Sequence, residues 1–348
     1  MKAASEIVRG AVGTRFTGAV LRVERGGCVV LEEAFGKVDG SSLAPAVEVT
    51  TCFDLASLTK PFAAAAALWA VGGGRLELDA PLLPLVPEWR GRPHAAITLR
   101  LLLAHTSGMQ SGADYRVLLG DNVERFALEH DLSAPPKERV IYSDLGFIAL
   151  GVILGRVYDE SLASVMARTC AALGARSAAF RPRAAEIASI PATEEDAWRG
   201  RVRGSVHDEK AHLMNGVAGH AGLFGTARDV AVLTEVFLGA SCGRAPATLS
   251  VRLAREAIVE HGSDSVLRRG LGWALKTTDE NSCGSVMSRA TFGHTGFTGT
   301  SVWADPVRDL SVVLLTNAVY FGRNDLRDVR AAVCEAVASE ADRCLRSA

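Results

Sequence analysis

The sequence lacks an excess of charge of either sign and lacks a long apolar run. Its 348 residues carry 38 Lys and Arg against 39 Asp and Glu, a formal net charge of −1. Without a net field to attract polyanions, we expect no nucleic-acid partner. The longest apolar run, residues 61–71, is too short to cross a bilayer, and residues 1–15 carry charges where a signal peptide would have an apolar core. We therefore expect a cytoplasmic protein with no membrane partner.

The sequence also lacks the motifs of metal and nucleotide sites. Its seven cysteines form no Cys-x-x-Cys pair, which is typical of reduced intracellular thiols. His207 and His212 lie five residues apart and belong to no His-Glu-x-x-His motif, which disfavours zinc. The glycines at 72–74 are not followed by the Gly-Lys-Ser/Thr of a phosphate-binding loop. The sequence thus predicts no metal and no cofactor.

A hydrophobic content of 48% supports a large buried core, and its pattern along the chain indicates an α/β (α+β) protein. Alternating apolar residues predict two hairpins, one near each end: strands 16–24 and 28–35, and strands 300–305 and 310–316. Helical spacing predicts helices at 61–69, 99–104, 145–157, 162–173, 229–238 and 325–345. We expect one antiparallel sheet built from both termini with flanking helices (residues 1–55 and 235–348) and an inserted all-helical subdomain (56–234), together one catalytic unit.

The most informative motif is Ser57-Leu58-Thr59-Lys60. Residues i and i+3 share one helix face, so a neutral Lys60 could take the hydroxyl proton of Ser57 and make it a covalent nucleophile. Pro61 has no N–H for the carbonyl of Ser57 and therefore belongs in the first helical turn. We expect Ser57 at a helix N-terminus, where unpaired N–H groups favour a developing oxyanion.

Two further motifs add a phenol and an imidazole. Tyr142-Ser143-Asp144 directly precedes an apolar helix, and His294-Thr295-Gly296 directly precedes the strand that runs to residue 305. Together with the segments 53–60, 103–108 and 293–300, these motifs resemble the serine β-lactamase and penicillin-binding-protein superfamily, and most closely its class C β-lactamase and esterase-like branch. The resemblance extends from about residue 16 to 320 and implies a β-lactamase/transpeptidase-like fold.

The resemblance also implies a site. Ser57 would form an acyl-enzyme while Lys60 and Tyr142 manage the proton, and it is open which of these two is the base. The backbone N–H groups of Ser57 and Phe297 would form the oxyanion hole. His294 would complete the catalytic set. Asp144 and Phe297 would bind substrate, while Thr295 and Gly296 would let it lie along the edge of a strand.

At two positions the sequence departs from the family pattern. Asp144 stands where Asn is common; an ionised Asp144 would hold Lys60 in its charged form, although it could instead serve only as a helix N-cap. His294 stands where penicillin-binding proteins usually carry Lys, and a neutral imidazole would clamp a carboxylate less strongly. Both departures predict a shift away from β-lactam and D-Ala-D-Ala chemistry and towards esters or amides.

A third segment, 198–224, looks like a sub-branch of esterases and muramyl-peptide amidases. There His220 could bind substrate and Arg199 or Arg201 could meet an anionic group, although the alternative is that these are satisfied loop residues. Gly239-x-Ser241-x-Gly243 fits the pattern of α/β-hydrolases, but it follows a helix rather than a strand, so we do not expect Ser241 to be a nucleophile.

From these residues we predict a serine hydrolase that cleaves a small ester or amide through a Ser57 acyl-enzyme. One alternative is an acyltransferase in which another nucleophile than water resolves the same intermediate. The other is a sensor of the penicillin-binding type that acylates slowly or only binds its ligand.

Overall fold

The computed structural model of the protein describes residues 1–112, 114–245, 248–264 and 267–346. The described helices are α1 (Lys2–Ala11), α2 (Thr59–Gly72), α3 (Leu99–Leu103), α4 (Val123–Glu129), α5 (Asp144–Tyr158), α6 (Leu162–Leu173), α7 (Glu209–Leu213), α8 (Ala227–Ser241), α9 (Val251–Ala257) and α10 (Arg327–Arg346). The described strands are β1 (Gly18–Arg25), β2 (Cys28–Gly36), β3 (Phe53–Asp54), β4 (Ala179–Phe180), β5 (Glu195–Asp196), β6 (Gly200–Arg201), β7 (Leu223–Gly225), β8 (Gly262–Ser263), β9 (Arg268–Arg269), β10 (Ala274–Leu275), β11 (Phe292–Thr295), β12 (Ser301–Asp305) and β13 (Leu310–Thr316). None of the described helices has the length and apolarity that crossing a membrane requires.

The two ends of the chain build one antiparallel sheet, as predicted. Its eight strands lie in the order β2-β1-β13-β12-β11-β10-β9-β8. The N-terminal strand β1 pairs with the C-terminal strand β13 from Ala19 opposite Thr316 to Arg25 opposite Leu310. Every residue of β13 is buried, which explains its near-continuous run of Val and Leu. The sheet is thus covered on both faces.

Alternate side chains of the sheet enter two different apolar cores. On one face, Leu21 and Leu314 pack with Val333 of α10 and with α1. On the other face, Val20 and Val313 belong to the larger core that includes α8 and the helices of the inserted region. The predicted strands required this alternation of successive side chains between the two faces of the sheet.

Besides its helices, the described part of the inserted region contains four short strands, β4 to β7, and β3 directly precedes the region. β3, β7 and β4 form a three-stranded sheet, and β5 and β6 form a hairpin, so the region is not all-helical as expected. The expected subdomain boundary at 234/235 falls inside α8, which packs as one helix against β1, β12 and β13. α2 is buried from Thr59 to Leu68, because its run of alanines lets α5 and α6 approach it closely. The nucleophile motif therefore begins a central helix.

Candidate active site

Ser57 lies in a strained turn that leads from β3 into α2. The turn is a single 3₁₀ turn, Ala56–Leu58, and Ala56 has a φ of +48°, a left-handed conformation that costs a residue with a Cβ roughly 1 kcal/mol or more. Asp54, which is 3% exposed, holds it: one carboxylate oxygen accepts from the Ala56 N–H at 2.9 Å, and the other accepts from the His207 N–H at 2.6 Å. These two hydrogen bonds of Asp54 thus fix the backbone conformation from which the Ser57 side chain projects.

Lys60 is fully buried and contacts the nucleophile directly. Its Nζ lies 3.0 Å from Ser57 Oγ and 2.8 Å from a carboxylate oxygen of Asp144, and it also donates to the carbonyl of His220 at 3.3 Å. Burial acts to lower the pKa of Lys60, yet the Asp144 carboxylate and the Tyr142 phenol outweigh it and raise that pKa above its usual value. Lys60 is therefore an ammonium group that donates to Ser57.

The Lys60–Asp144 pair continues into a closed ring of charges, in which Lys60 is fully buried and Asp144, Asp208 and Lys210 are partly buried. The second oxygen of Asp144 lies 3.2 Å from Lys210 Nζ, which lies 3.4 Å from Asp208, and Asp208 accepts from His220 Nε2 at 2.8 Å. Burial acts to raise the pKa of Asp208, but His220 and Lys210 hold it well below its usual range. Burial likewise opposes the charge of Lys210, whose pKa the two carboxylates nevertheless raise. The carbonyl of His220 then returns to Lys60 and closes the ring.

The ring defines the role of Asp144. Its helix is capped by Ser143, whose Oγ accepts from the Gly146 N–H at 2.8 Å, so Asp144 is not the N-cap. Burial acts to raise the pKa of Asp144, but Lys60 and its other cationic neighbours lower it. Asp144 does not line the cavities beside Ser57, contrary to the expectation that it binds substrate. It acts on the site through Lys60.

Asp144, Asp208 and His220 also present ligand atoms within 4.8 Å of one another, a spacing that could hold a metal ion. The ammonium groups of Lys60 and Lys210 already bind these carboxylates. Charge repulsion from two lysines disfavours a divalent cation there, so the chemistry of the ring does not fit a metal.

Tyr142 lies between two cations at the start of α5. Lys60 Nζ is 4.7 Å from the centroid of its ring, and the guanidinium carbon of Arg269 is 5.2 Å from it. His105 packs against the same ring at 4.7 Å, and its Nδ1 accepts from the Ser143 N–H at 2.9 Å. Burial, Arg269 and Lys60 depress the pKa of His105 far below its usual value, so it stays neutral. His105 supports the loop that carries Tyr142.

His294 is 3% exposed on β11, and its ring lies 6.1 Å from that of Tyr142. Its Nδ1 lies 2.9 Å from the carbonyl oxygen of Thr295, and a carbonyl only accepts, so Nδ1 carries the hydrogen. Nε2 is therefore a lone pair, and it has no partner among the described residues. Burial, Lys60 and Arg269 hold the pKa of His294 well below its usual value. His294 is a neutral acceptor.

β11 is not an edge strand, which corrects the expectation for Thr295 and Gly296. It pairs with β12 along its length, but β10 on its other side covers only Phe292 and Gly293. The C-terminal half of β11, including Thr295, is therefore open on the side of β10. A substrate backbone has room to pair there, but over a short stretch only.

The turn after β11 is bonded to the segment that carries the nucleophile. The hydroxyls of Thr298 and Thr300 donate to the carbonyls of Asp54 and Leu55 at 2.8 and 3.1 Å. A Cβ on Gly296 would lie 2.1 Å from Thr300 Oγ1 and 2.7 Å from the carbonyl of Leu55, so glycine is required for this close approach.

The backbone N–H groups of Ser57 and Phe297, which are expected to form the oxyanion hole, have no other partner in the described part of the chain. The ring of Phe297 is 56% exposed and stacks on His207, with centroids 5.6 Å apart. Stabilisation of a tetrahedral oxyanion needs free N–H donors such as these two. They lie on two segments that hydrogen bonds from the hydroxyls of Thr298 and Thr300 hold together.

Two neighbouring cavities lie at the site, and Ser57 lines one of them. One, of about 490 Å³, is lined by Ser57, Thr295 and the turn that follows; the other, of about 290 Å³, contains His294. Tyr142, Arg269 and Thr295 line both. Sequence reasoning missed Arg269, and it missed Arg330 of α10, which donates to the carbonyls of Gly296 and Thr300 at 3.0 and 3.1 Å. Neither arginine lies in a recognisable motif.

The third segment does not reach substrate as expected. The ring of His220 is bound to Asp208 and lines neither cavity. Arg199 pairs with Asp196 and donates to two backbone carbonyls, while Arg201 pairs with Glu195. Each of the three side chains already pairs with a carboxylate and none lines either cavity, although Nδ1 of His220 is buried without a partner among the described residues.

Ser241 likewise has a structural role. It is the last residue of α8, and its Oγ donates to the carbonyl of Leu238 at 2.6 Å. It has neither the strand-to-helix turn nor the base that a nucleophile elbow requires.

Comparisons with known proteins agree with this fold. The family model described as Beta-lactamase matches residues 4–335. A putative D-alanyl-D-alanine carboxypeptidase of Escherichia coli K12 is 29% identical over 333 residues, which cover 83% of this chain and 75% of the relative. An N-acetylmuramyl-L-alanine amidase of Bacillus subtilis strain 168 is 28% identical, covering 91% and 80%. EstCE1, a hydrolase with promiscuous acyltransferase activity, superposes with a TM-score of 0.77 at 23% identity, covering 96% of this chain and 98% of that one.

The protein has a mixed α/β fold in which helices flank an antiparallel sheet. This fold and the similarity to these relatives identify the protein as a serine hydrolase. The chain belongs to the β-lactamase family, which confirms the resemblance drawn from its motifs. The names of these two curated relatives refer to D-alanyl-D-alanine and to N-acetylmuramyl-L-alanine, whereas Asp144 and His294 predicted a shift away from D-Ala-D-Ala chemistry.

Proposed function

We propose that this hydrolase cleaves a small ester or amide through an acyl-enzyme on Ser57. The observation that carries the proposal is the contact of 3.0 Å between Lys60 Nζ and Ser57 Oγ, beside two free backbone N–H groups and an open cavity. A nucleophile, a proton-handling group and oxyanion donors around one cavity are the parts that acyl transfer requires.

Acylation begins when Ser57 Oγ attacks the carbonyl carbon of the substrate, whose oxygen takes up the charge in the oxyanion hole. Lys60 is already protonated and stabilises the negative charge that develops on Oγ. The Ser57 proton passes to the Tyr142 oxygen as the Tyr142 proton passes to the leaving oxygen or nitrogen. The phenol ends as it began, and the alcohol or amine departs.

Deacylation reverses this path with water in place of the leaving group. Tyr142 takes a proton from the attacking water and returns one to Ser57 Oγ, which releases the carboxylic acid. His294 offers only a lone pair at Nε2, so its role is to accept a hydrogen bond from Tyr142, substrate or water rather than to hold a carboxylate.

A panel of matched p-nitrophenyl esters, short amides, β-lactams and D-Ala-D-Ala peptides tests this function. The proposal predicts steady turnover of esters or amides and its loss in Ser57→Ala. If Ser57→Ala turns over as fast as the wild type, the proposal is wrong. Acylation of Ser57 without turnover would instead support the sensor.

Acyl transfer is the second candidate, because the acyl-enzyme is the same. Adding an alcohol or amine acceptor during ester turnover and measuring the ratio of transfer product to acid separates the two. A hydrolase without an acceptor site predicts a ratio that rises in proportion to the acceptor concentration. A ratio that saturates would show an acceptor site. We also propose a cytoplasmic location, supported by the cysteines whose side chains the structure describes, all six of which are free: Cys28, Cys52, Cys170, Cys242, Cys283 and Cys334.

A further inference from the structure

The carboxylate of Asp144 has an ammonium partner on each of its oxygens. One oxygen lies 2.8 Å from Lys60 Nζ, and the other lies 3.2 Å from Lys210 Nζ. In the described part of the chain no third group bonds to this carboxylate, and the side chains of Asp144 and Lys210 are each 13% exposed. Lys60 and Lys210 therefore hold the carboxylate from two sides.

An amide could not replace this carboxylate with both contacts kept. A carboxylate accepts hydrogen bonds on both oxygens, whereas the side chain of asparagine has one accepting oxygen and one donating NH₂ group. If that oxygen accepted from Lys60, the NH₂ group would face the ammonium of Lys210, and two donors do not bond to each other. The chemistry of Lys210 therefore matches an aspartate at position 144 and not an asparagine.

Lys210 adjoins the site without entering it, because it lines neither of the two cavities. Its aliphatic stem packs against Gly112, where an added Cβ would lie 3.1 Å from Lys210 Cδ and 3.3 Å from Cε. Its ammonium group also lies 3.4 Å from Asp208, whose carboxylate caps α7 by accepting from the Ala211 N–H at 2.8 Å. Lys210 is therefore held along its stem and at its charged end, and it reaches the reaction only through Asp144.

The signs of the charges make Asp144 and Lys210 interdependent. Two ammonium groups alternate with two carboxylates in the order Lys60, Asp144, Lys210, Asp208. Removing Asp144 alone leaves two neighbouring ammonium groups with one carboxylate, and their repulsion is uncompensated. Removing Lys210 alone leaves one carboxylate in excess. Removing both leaves one group of each sign, so the charges balance again.

We propose that Lys210 is a positioning residue that holds Asp144 against Lys60, and that Asp144 and Lys210 act on Ser57 as one unit. The inference rests on the proposed function, in which the Lys60 ammonium stabilises the charge that develops on Ser57 Oγ. Lys60 Nζ is 3.0 Å from that oxygen, so a displaced ammonium group would lose the contact. Loss of one member of the unit disturbs Lys60, and loss of the second member reverses most of that disturbance.

The other charged and titratable groups around Lys60 are the same in every variant of the test. Burial acts to lower the pKa of Lys60, and Asp144 and Tyr142 raise it. The remaining groups come from several elements: Asp208 at the start of α7, His220 before β7, His105 after α3, His294 on β11, and Arg269 of β9 on the far side of Tyr142. Differences among the variants in the pH dependence of activity therefore come from Asp144 and Lys210.

A double-mutant cycle tests the unit with the wild type, Asp144→Asn, Lys210→Met and the variant that carries both changes. The constants kcat and KM for an alkyl ester are measured at pH 7 and expressed per Ser57 that a fluorophosphonate labels, so unfolded molecules do not count. We expect Asp144→Asn to lower kcat about tenfold or more, and the addition of Lys210→Met to raise that kcat again about tenfold, as coupled residues in contact do. Lys210→Met alone should lower kcat and leave KM unchanged, because Lys210 lines neither cavity.

Two further variants separate charge, hydrogen bonding and general effects. Lys210→Gln keeps an N–H donor for Asp144 without the charge, so it should retain more of kcat than Lys210→Met does. Lys2→Met removes an exposed lysine whose partner is Glu6, and it should not raise the kcat of Asp144→Asn. Rescue by Lys2→Met would show a general effect of net charge and would overturn the proposal.

The basic limb of the kcat/KM profile gives a second readout, which a purely structural role would not move. Adding Lys210→Met to Asp144→Asn takes an ammonium neighbour away from Lys60, which raises the pKa of Lys60. The limb should therefore move to higher pH by about half a unit or more relative to Asp144→Asn. A limb that stays in place overturns the proposal, as do losses of kcat that multiply in the double variant.

Labelling of Ser57 separates this inference from the proposed function. If the fluorophosphonate does not label Ser57 of the wild type, the proposed function fails and this inference fails with it. If Ser57 is labelled and the wild type turns over the ester, but the losses of kcat multiply, the proposed function stands and the unit of Asp144 and Lys210 is wrong.

Discussion

Lys60 Nζ and a carboxylate oxygen of Asp144 lie 2.8 Å apart, and Lys60 is completely buried. The same ammonium group donates to Ser57 Oγ at 3.0 Å. One carboxylate therefore decides the protonation state of the group that contacts the nucleophile. Since an ammonium group cannot act as a base, we propose that Tyr142 transfers the proton and that Lys60 stabilises charge.

Asp144→Asn tests this division of roles. Asp144 raises the pKa of Lys60 against the opposing effect of burial, so its removal should let Lys60 lose its proton at lower pH. The basic limb of the kcat/KM profile should move to lower pH by about one unit or more, measured with an alkyl ester. A basic limb that stays where the wild type has it would show that Lys60 need not be charged.

Tyr142→Phe keeps the ring but removes the hydroxyl that carries the proton. We expect kcat/KM for alkyl esters to fall about 10²–10⁴-fold, with a smaller loss for p-nitrophenyl esters, whose leaving group departs without a proton. Tyr158→Phe, at the far end of the same helix, is the control. Equal losses for both kinds of ester would be inconsistent with proton delivery by Tyr142.

Lys210→Met opens the buried ring. It leaves Asp144 and Asp208 each with one cationic neighbour fewer, and removing one partner from a buried pair costs about 3–5 kcal/mol of unfolding free energy. Urea unfolding at pH 7 measures this loss. Lys2→Met, at a largely exposed lysine, should change the unfolding free energy by less than about 0.5 kcal/mol.

The ring also predicts how stability depends on pH. The pKa values of Asp144 and Asp208 are lower in the folded protein, so their contribution is present above about pH 4 and is lost as pH falls through the folded values. The pKa values of Lys60 and Lys210 are raised, so their contribution is present below about pH 10 and is lost above it. Thermal unfolding should therefore show a plateau between these limits. Lys210→Met should lose less stability across the acid limb than the wild type, because the pKa values of Asp144 and Asp208 are then less depressed. An identical acid limb in both proteins would contradict the ring.

Gly296→Ala tests the contact between the turn after β11 and the nucleophile segment. The added methyl group would lie 2.7 Å from a backbone carbonyl of Leu55, so one segment must move. We expect kcat/KM to fall at least about 10²-fold, because a shift of 1 Å at a site costs that much. Gly10→Ala in α1 meets no atom within 4 Å and should be neutral or slightly stabilising. Wild-type activity of Gly296→Ala would contradict the required approach.

The sequence predicted the elements whose periodicity extends over many residues. Residues 162–173 and 310–316 match α6 and β13, because a sustained apolar pattern is readable locally. β8, β9 and β10 have only two residues each and show no apolar periodicity, so the sequence did not predict these three strands of the sheet. α1 was missed, since its charges were interpreted only as evidence against a signal peptide.

The site was predictable where its chemistry forms short motifs. Ser57, Lys60, Tyr142 and His294 lie around one centre in the structure, but their catalytic roles stay predictions. Lys210, Asp208 and Arg269 become neighbours of the site only through long-range packing, which no local pattern records. His220 illustrates the converse, because its motif was recognised while its ring faces Asp208 and not the cavity.

The most direct test of Ser57 as the nucleophile is to identify the residue that a fluorophosphonate modifies. The purified protein is incubated with a fluorophosphonate, its intact mass is measured, and the modified peptide is sequenced by mass spectrometry. We expect one adduct per chain, on Ser57. It should be absent in Ser57→Ala and present in Ser241→Ala. An adduct on another residue, or the same adduct in Ser57→Ala, would contradict this expectation.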